Sequence, residues 1–224
     1  MNATDYFFEK TYQLEKPFLV GKEEISYKDL YSTSLHLAGW INKTVGTGKN
    51  ISLLSVNNLF FLKVYLAIIK SGNICIPLDP GIERENYRYI HDLTEPKMIF
   101  LTREVEKRLE LNSELSWFPD TIPDTPETFV QEAPDSKFDR ERCAEIIFTS
   151  GSTGKPKGVM ISHKNLIANT SSIVEYLQLT HDDRMLIVLP FYYCYGLSLL
   201  HTHLRVGGSI VFNNSFIFLG GVLK

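Results

Sequence analysis

Between Thr149 and Gly158 the chain places four hydroxyl side chains, three glycines and two lysines in ten residues, Thr-Ser-Gly-Ser-Thr-Gly-Lys-Pro-Lys-Gly. Those residue types together suit the gripping of a polyphosphate. Glycines let the backbone approach and turn its N–H groups onto an anion, hydroxyls add short donors, and Lys157 supplies a point charge. Pro156 stiffens the end of the loop. Two other loop chemistries are excluded by spacing. Gly151 is followed four residues on by Lys155 and Pro156, where a Walker A loop requires Gly-Lys-Ser/Thr. No glycine stands two residues before Ser150 or Ser152, as a nucleophile elbow requires. On composition alone, a flexible linker fits this stretch as well as a phosphate site does.

Other chemistry-bearing residues carry less. His201 and His203 are two apart on an expected helix, so they point away from each other and read as ordinary helix residues rather than a metal pair. His163 abuts a helix start at Ser162, where a capping or packing role is the better reading. Cys75, Cys143 and Cys194 lie far apart with no CxxC pair, which suggests neither a disulfide framework nor a zinc site. No flanking Lys or Arg activates Cys194, so it reads as inert packing. The N-x-S/T matches at Asn2, Asn42, Asn169 and Asn213 read as chance.

The elements that would position the loop alternate between strand and helix. Phe18 to Val20 and Glu24 to Ser26 read as a hairpin around Gly21 and Lys22. Ser26, with Asp29 three residues on, caps a helix whose apolar face is Leu30, Leu37, Ala38 and Ile41, ending at Gly46 and Gly48. A strand at Asn50 to Leu54 leads into a helix from Asn58 to Ser71, apolar on all sides except the face of Lys63 and Lys70 and therefore buried. Asn73 to Leu78 lacks alternation, which predicts a strand covered on both faces. A turn at Asp79 to Gly81 precedes a helix carrying Ile82, Tyr87, Ile90 and Leu93, then a strand at Lys97 to Thr102. Residues 103–142 hold 11 acidic and 6 basic residues and four of the ten prolines. Apart from a short helix at Val105 to Leu111, that stretch reads as a solvated connector. Alternation resumes with strands Ala144 to Phe148 and Val159 to Ser162 around the loop. A helix follows from Lys164 to Leu179, its face Leu166, Thr170, Ile173 and Leu177. A buried strand at Met185 to Leu189, a helix from Gly196 to Val206 and a strand at Ile210 to Phe212 complete the pattern. The fold class is α/β, with layered sheets flanked by helices and separated by the connector. Three segments are expected: 1–102, 103–142 and 143–224.

The chain has 224 residues, 44% hydrophobic and 22% charged, with a net charge of −3, which suits a soluble globular protein. Without a basic run, nucleic-acid binding has little electrostatic support. The N-terminus does not read as a signal peptide. The apolar stretch Leu59 to Ile69 is interrupted by Lys63 and falls short of the roughly 20 residues a membrane span needs. A reducing cytoplasm and no membrane anchor are expected.

The stretch Phe148 to Val159 closely resembles the signature of the adenylate-forming enzymes: acyl-CoA synthetases, luciferases and the adenylation domains of nonribosomal peptide synthetases. Ile25 to Leu30, Ile69 to Pro80 and Pro190 to Leu197 resemble that family's first, second and fourth core motifs. The resemblance covers nearly all the chain except its first 15 residues and the connector. It implies a two-step reaction in which a carboxylate attacks the α-phosphate of ATP, releasing pyrophosphate, and a thiol then attacks the acyl adenylate. It implies that Thr149, Ser150, Gly151, Ser152, Thr153 and Gly154 wrap the β- and γ-phosphates, that Lys157 helps neutralise them, and that Thr149 helps hold Mg²⁺. Tyr193 stands where the commonest acyl-CoA synthetase form has histidine, and with Gly196 it would belong to the acyl pocket. Plain core packing is the competing reading of Phe191 to Tyr195.

Family members continue through an acidic motif, a ribose-gripping aspartate, a hinge and a C-terminal domain with the adenylation lysine. None of these stands before Lys224, so no catalytic residue is expected in this chain. It reads as an N-terminal part of such a ligase, inactive alone and partnered by the remaining C-terminal portion. Its substrate would be a carboxylic acid, and the thiol acceptor either CoA or a carrier-protein phosphopantetheine. An amino-acid or carrier-protein ligase and a non-catalytic nucleotide-binding module are the alternatives, with the aromatic fourth motif favouring acyl acids.

Overall fold

The computed structural model describes residues 1–111, 113–123, 138–149 and 154–213. It is a mixed α/β structure with two sheets flanked by helices. Helix α1 (Ala3–Phe8) precedes the short antiparallel pair β1 (Pro17–Leu19) and β2 (Ile25–Ser26). Ser26 caps α2 (Tyr27–Val45): its hydroxyl oxygen accepts the Asp29 N–H at 3.0 Å, satisfying a donor the helix cannot pair internally. Then come β3 (Asn50–Leu54), α3 (Leu59–Lys70), β4 (Ile74–Leu78), α4 (Arg84–Thr94) and β5 (Met98–Leu101). Within the stretch read as a connector lie α5 (Arg103–Leu109) and β6 (Ser116–Trp117). The remainder is β7 (Cys143–Thr149), β8 (Lys157–Ser162), α6 (His163–Leu177), β9 (Arg184–Ile187), α7 (Cys194–Val206) and β10 (Ser209–Phe212).

The larger sheet has the order β6-β5-β3-β4-β7-β8, parallel except for the last pair, and the smaller has β2-β1-β10-β9. Ile51, Leu53, Cys75, Met98 and Phe100 face the principal core with α2 and α3, whereas Leu54, Ile76, Leu78, Ile99 and Leu101 face a second cluster under α4 and α5. Both faces are thus covered, which is why these strands read as continuous apolar runs. Nine of the twelve residues of α3 are buried. At about 1.5–3 kcal/mol for each large apolar side chain removed from water, this helix is a principal source of stability.

Several expectations change. The connector does not divide one sheet from the other, since each sheet takes strands from both sides of it. Its first half includes packed residues: Val105, Leu109 and Phe118 are buried, and β6 pairs with β5. Its end is anchored as well, with Arg142 Nη2 donating to Gly72 O at 3.0 Å. Residues 124–137 lie outside the described residues. The strand expected to be buried at Met185 to Leu189 is β9, of which only Ile187 is buried. Leu93 and Leu177 are exposed: the buried stripe of α4 runs through Tyr87, Ile90 and Thr94 and leaves Leu93 beside it, and Leu177 is the last residue of α6.

The first residues carry structure that the pattern reading passed over. Asn2 caps α1, Phe7 and Phe8 are buried, and Asp5 pairs with Lys70 at 2.6 Å while accepting from the Tyr31 hydroxyl at 3.1 Å. The effect is to fix α1 against α2 and α3.

Candidate functional site

Strands β7 and β8 form a hairpin whose last pair is Thr149 opposite Lys157, so the two candidate phosphate contacts flank the loop mouth on one face of the ribbon. Ser150, Gly151, Ser152 and Thr153 lie outside the described residues. Gly154 has φ +84°, the left-handed region glycine occupies without strain, with nothing around it within 4 Å. Gly158 is required for a different reason. A Cβ there would stand 2.9 Å from Ile146 Cγ2 and 3.1 Å from Phe148 Cζ on the opposing strand. Thr149 and Lys157 are both exposed, and the Thr149 hydroxyl makes a 3.5 Å contact with Lys157 O. The Lys155 ammonium sits 5.2 Å from the Tyr89 ring centre, a cation–π contact that draws it towards α4.

The carboxyl ends of β3, β4 and β9 surround a cavity of about 410 Å³ lined by Val56, Asn57, Asp79, Pro80, Val188, Leu189, Pro190 and Tyr192. Small-molecule sites in open α/β sheets form outside the carboxyl ends of strands, and this volume lies within the usual range of about 300–1,000 Å³. The cavity and the hairpin mouth are neighbours. Cys75 on β4 pairs with Glu145 on the parallel β7, so the carboxyl ends of both strands, and with them the cavity and Thr149, lie at the same edge of the larger sheet. Asp79 Oδ1 accepts the Gly81 N–H at 2.7 Å, and the carboxylate also hydrogen-bonds Tyr192. Burial, and then the neighbouring Asp79 charge, push the Tyr192 phenol up to about 12.

Of the two residues expected in the acyl pocket, Tyr193 is 54% exposed and leans on Tyr192, their ring centres 4.9 Å apart. Gly196 is buried in the first turn of α7, beneath Pro190. The cavity lining includes Tyr192 together with Val56, Asn57 and Asp79, which the sequence reading did not single out for a site. Single polar residues in loops leave no periodic signal, although Asp79 was legible as a turn residue.

A family model described as AMP-binding enzyme matches residues 8–220. The chain belongs to the AMP-binding enzyme family. It is 30% identical over 195 residues to a D-alanine–D-alanyl carrier protein ligase of Listeria monocytogenes serotype 4b, covering 84% of this chain and 38% of that protein. It is 29% identical over 185 residues to a mitochondrial malonate–CoA ligase of Xenopus laevis, covering 76% and 32% respectively. Among solved structures, ATP-bound MatB from Rhodopseudomonas palustris superposes with a TM-score of 0.81 at 24% identity, over 95% of this chain and 45% of that one. VinN in complex with 3-methylaspartate gives 0.82 at 20% identity, over 94% and 61%. The chain thus spans less than two fifths of the length of these two curated relatives, and the structural likeness bears out the fold.

Behind the hairpin, the chain carries a buried polar group. The Tyr65 hydroxyl donates to Glu145 Oε2 at 2.8 Å and lies 2.7 Å from His201 Nε2, joining α3, β7 and α7. His201 also stacks on Phe7, with ring centres 4.4 Å apart. Burial pushes the Glu145 carboxyl up to about 7 and the His201 imidazole down to about 3. His163 accepts the Ala3 N–H on Nδ1 at 3.1 Å and meets Phe138 edge-on. Burial first, then Arg142 and the N-terminal charge, lower it to about 4. Its role is packing, as expected. His203 is likewise internal, its Nδ1 2.8 Å from Leu199 O. Among the described residues no group of three or more His, Cys, Asp or Glu could hold a metal. Cys194 is exposed rather than packed, and Cys75 is buried. No helix among the described residues is long and apolar enough to cross a membrane.

These shifts give stability a defined pH dependence. The unfolded imidazoles take up protons below about pH 6.5, which the folded chain refuses until about 4 and 3, so His163 and His201 destabilise the fold as the medium is acidified. Glu145 acts in the opposite sense: its contribution is fully present below about 4.5 and is lost as pH rises through about 7. Glu145→Gln is therefore expected to gain stability relative to the parent between pH 4.5 and pH 8, by on the order of 3 kcal/mol. Urea unfolding at the two pH values measures this, and an identical difference at both would contradict a buried, proton-holding Glu145.

Proposed function

We propose that the chain supplies the N-terminal part of an ATP-dependent, AMP-forming ligase that activates a carboxylic acid and passes it to a thiol. The observation that carries this reading is the adjacency of two features at one sheet edge. The mouth of the β7–β8 hairpin, at Thr149 and Lys157, and a largely apolar cavity stand at the carboxyl edge of the larger sheet. A carboxylate seated at the cavity mouth would reach the α-phosphate of a nucleotide whose β- and γ-phosphates lie in the loop. As pyrophosphate leaves, negative charge accumulates on those phosphates, and Lys157 with the N–H groups of Thr149 to Gly154 offsets it.

Thr149 is suited to be one protein ligand of a Mg²⁺ ion. Its exposed hydroxyl is hard oxygen chemistry, and such an ion typically takes one or two protein groups together with substrate phosphates. The ion would supply charge neutralisation on the triphosphate. A thiol, either CoA or the phosphopantetheine of a carrier protein, then attacks the activated carbonyl and AMP leaves. The three free cysteines fit a reducing compartment such as the cytoplasm.

The apolar lining supports an acyl acid, while the similarity to a D-alanine–D-alanyl carrier protein ligase supports an amino acid. Substrate-dependent ATP–pyrophosphate exchange by the complete polypeptide, over a panel of fatty acids, malonate and D-alanine, separates them. Exchange with one acid class is expected. ATP binding without exchange for any acid would instead indicate a non-catalytic nucleotide-binding module.

A further inference from the structure

We infer that Asn57 is a positioning residue that sets one wall of the substrate cavity, an inference that rests on the ligase reading above. Asn57 lies between β3 and α3, 5% exposed, at the carboxyl edge of the larger sheet. Its Nδ2 donates to Leu189 O and its Oδ1 accepts the Phe191 N–H, both at 2.9 Å. A primary amide carries a donor and an acceptor side by side, so it pairs with this backbone as a neighbouring strand would.

The segment needs such a partner. Strand β9 ends at Ile187, whose carbonyl accepts the Asn213 N–H at 3.0 Å, and the chain then leaves the smaller sheet. Val188, Leu189, Pro190 and Tyr192 beyond it make half of the cavity lining. Pro190 contributes no N–H, so the polar backbone groups on either side of it are the ones Asn57 holds. Gly196 also lets the Pro190 carbonyl pack onto α7, where a Cβ would come within 2.3 Å of that oxygen. The wall is held by an amide from one sheet and packs on a bare Cα of the helix that follows the other. Asn57 therefore fixes the distance between Val56 and Asp79 on one side of the cavity and Pro190 and Tyr192 on the other. The acid would occupy that gap.

Two measurements on Asn57→Ala decide the matter, with Ile41→Val in α2 as a core variant remote from the cavity. Amide hydrogen exchange at Phe191 is expected to quicken by at least 30-fold in Asn57→Ala; unchanged protection in that variant overturns the clamp. In the complete polypeptide, pyrophosphate exchange should show the KM for the acid raised at least tenfold and the KM for ATP within twofold of the parent, with neither moved in Ile41→Val. Equal rises for acid and ATP, or the same rise in Ile41→Val, overturn the positioning role and leave the ligase reading standing. If the parent exchanges pyrophosphate with no acid, the ligase reading fails, and the Phe191 amide still decides whether the clamp exists.

Discussion

Gly196→Ala is expected to lower the melting temperature by about 6–12 °C, because the closest contact a Cβ would make at any described glycine for which such contacts are known is here. The added Cβ would stand 2.3 Å from Pro190 O, 2.9 Å from Pro190 C and 3.1 Å from Leu189 O. All three are backbone atoms, so no rotamer change relieves the clash. The segment is also tied down by Asn57, which holds Leu189 and Phe191. Overpacking in a core costs about 1–3 kcal/mol and more where nothing yields, and for a domain of this size each kcal/mol shifts the midpoint by about 2–4 °C. Gly46→Ala provides the contrast. Its φ of +77° and ψ of −158° lie in a region that only glycine occupies readily, but nothing lies within 4 Å, so only a backbone cost of about 1–3 kcal/mol applies. Thermal unfolding of both variants checks the ranking, and a smaller loss for Gly196→Ala than for Gly46→Ala would mean that the Pro190 carbonyl is not packed on α7.

Lys157→Ala should slow pyrophosphate exchange by about 10- to 100-fold in the complete polypeptide. The ammonium is exposed in the chain as described, so folding does not depend on it, and its worth appears when a triphosphate is bound. A hydrogen bond to a charged group contributes about 1.5–3 kcal/mol, which corresponds to the stated range. Lys157→Arg keeps the charge and should retain most of the rate. Lys155→Ala should matter less, since that ammonium already rests on Tyr89. Equal loss in Lys155→Ala and Lys157→Ala would point to general electrostatic attraction rather than a contact at the hairpin mouth.

How much of this was legible in the sequence follows from where the signals lie. The hairpin around the loop was readable because two apolar strands frame a stretch whose composition suits no core, and Thr149 does face Lys157 across its mouth. Helices α2 and α3 were readable from their caps and apolar faces, with Ser26 and Asn58 capping as the residue types suggest. Helix α1 was not, because six residues are too few to display a period. Its place is set by contacts far along the chain, such as Phe7 on His201 and Asp5 on Lys70. The pairing of β1 with β10 had no local signature either, since it joins residues nearly two hundred positions apart through a three-residue strand. The connector misled for a related reason. Its acidic and proline-rich composition is real, but Val105, Leu109 and Phe118 are spaced widely enough among charges to escape a pattern search while still filling the space under β5. Asn57 and Asp79 show the same limit at the site: each does its work by contacts with Leu189, Phe191, Gly81 or Tyr192, and one polar residue in a loop announces none of them.

The account turns on the hairpin loop holding the outer phosphates of a nucleotide beside the cavity. Binding of ATP and of AMP to the complete polypeptide, compared between the parent and Lys157→Ala by calorimetry, tests this most directly, because the two ligands differ only in the phosphates the loop would hold. Weakening of ATP by at least tenfold with AMP affinity unchanged is the predicted result; equal weakening of both, or of neither, would contradict it.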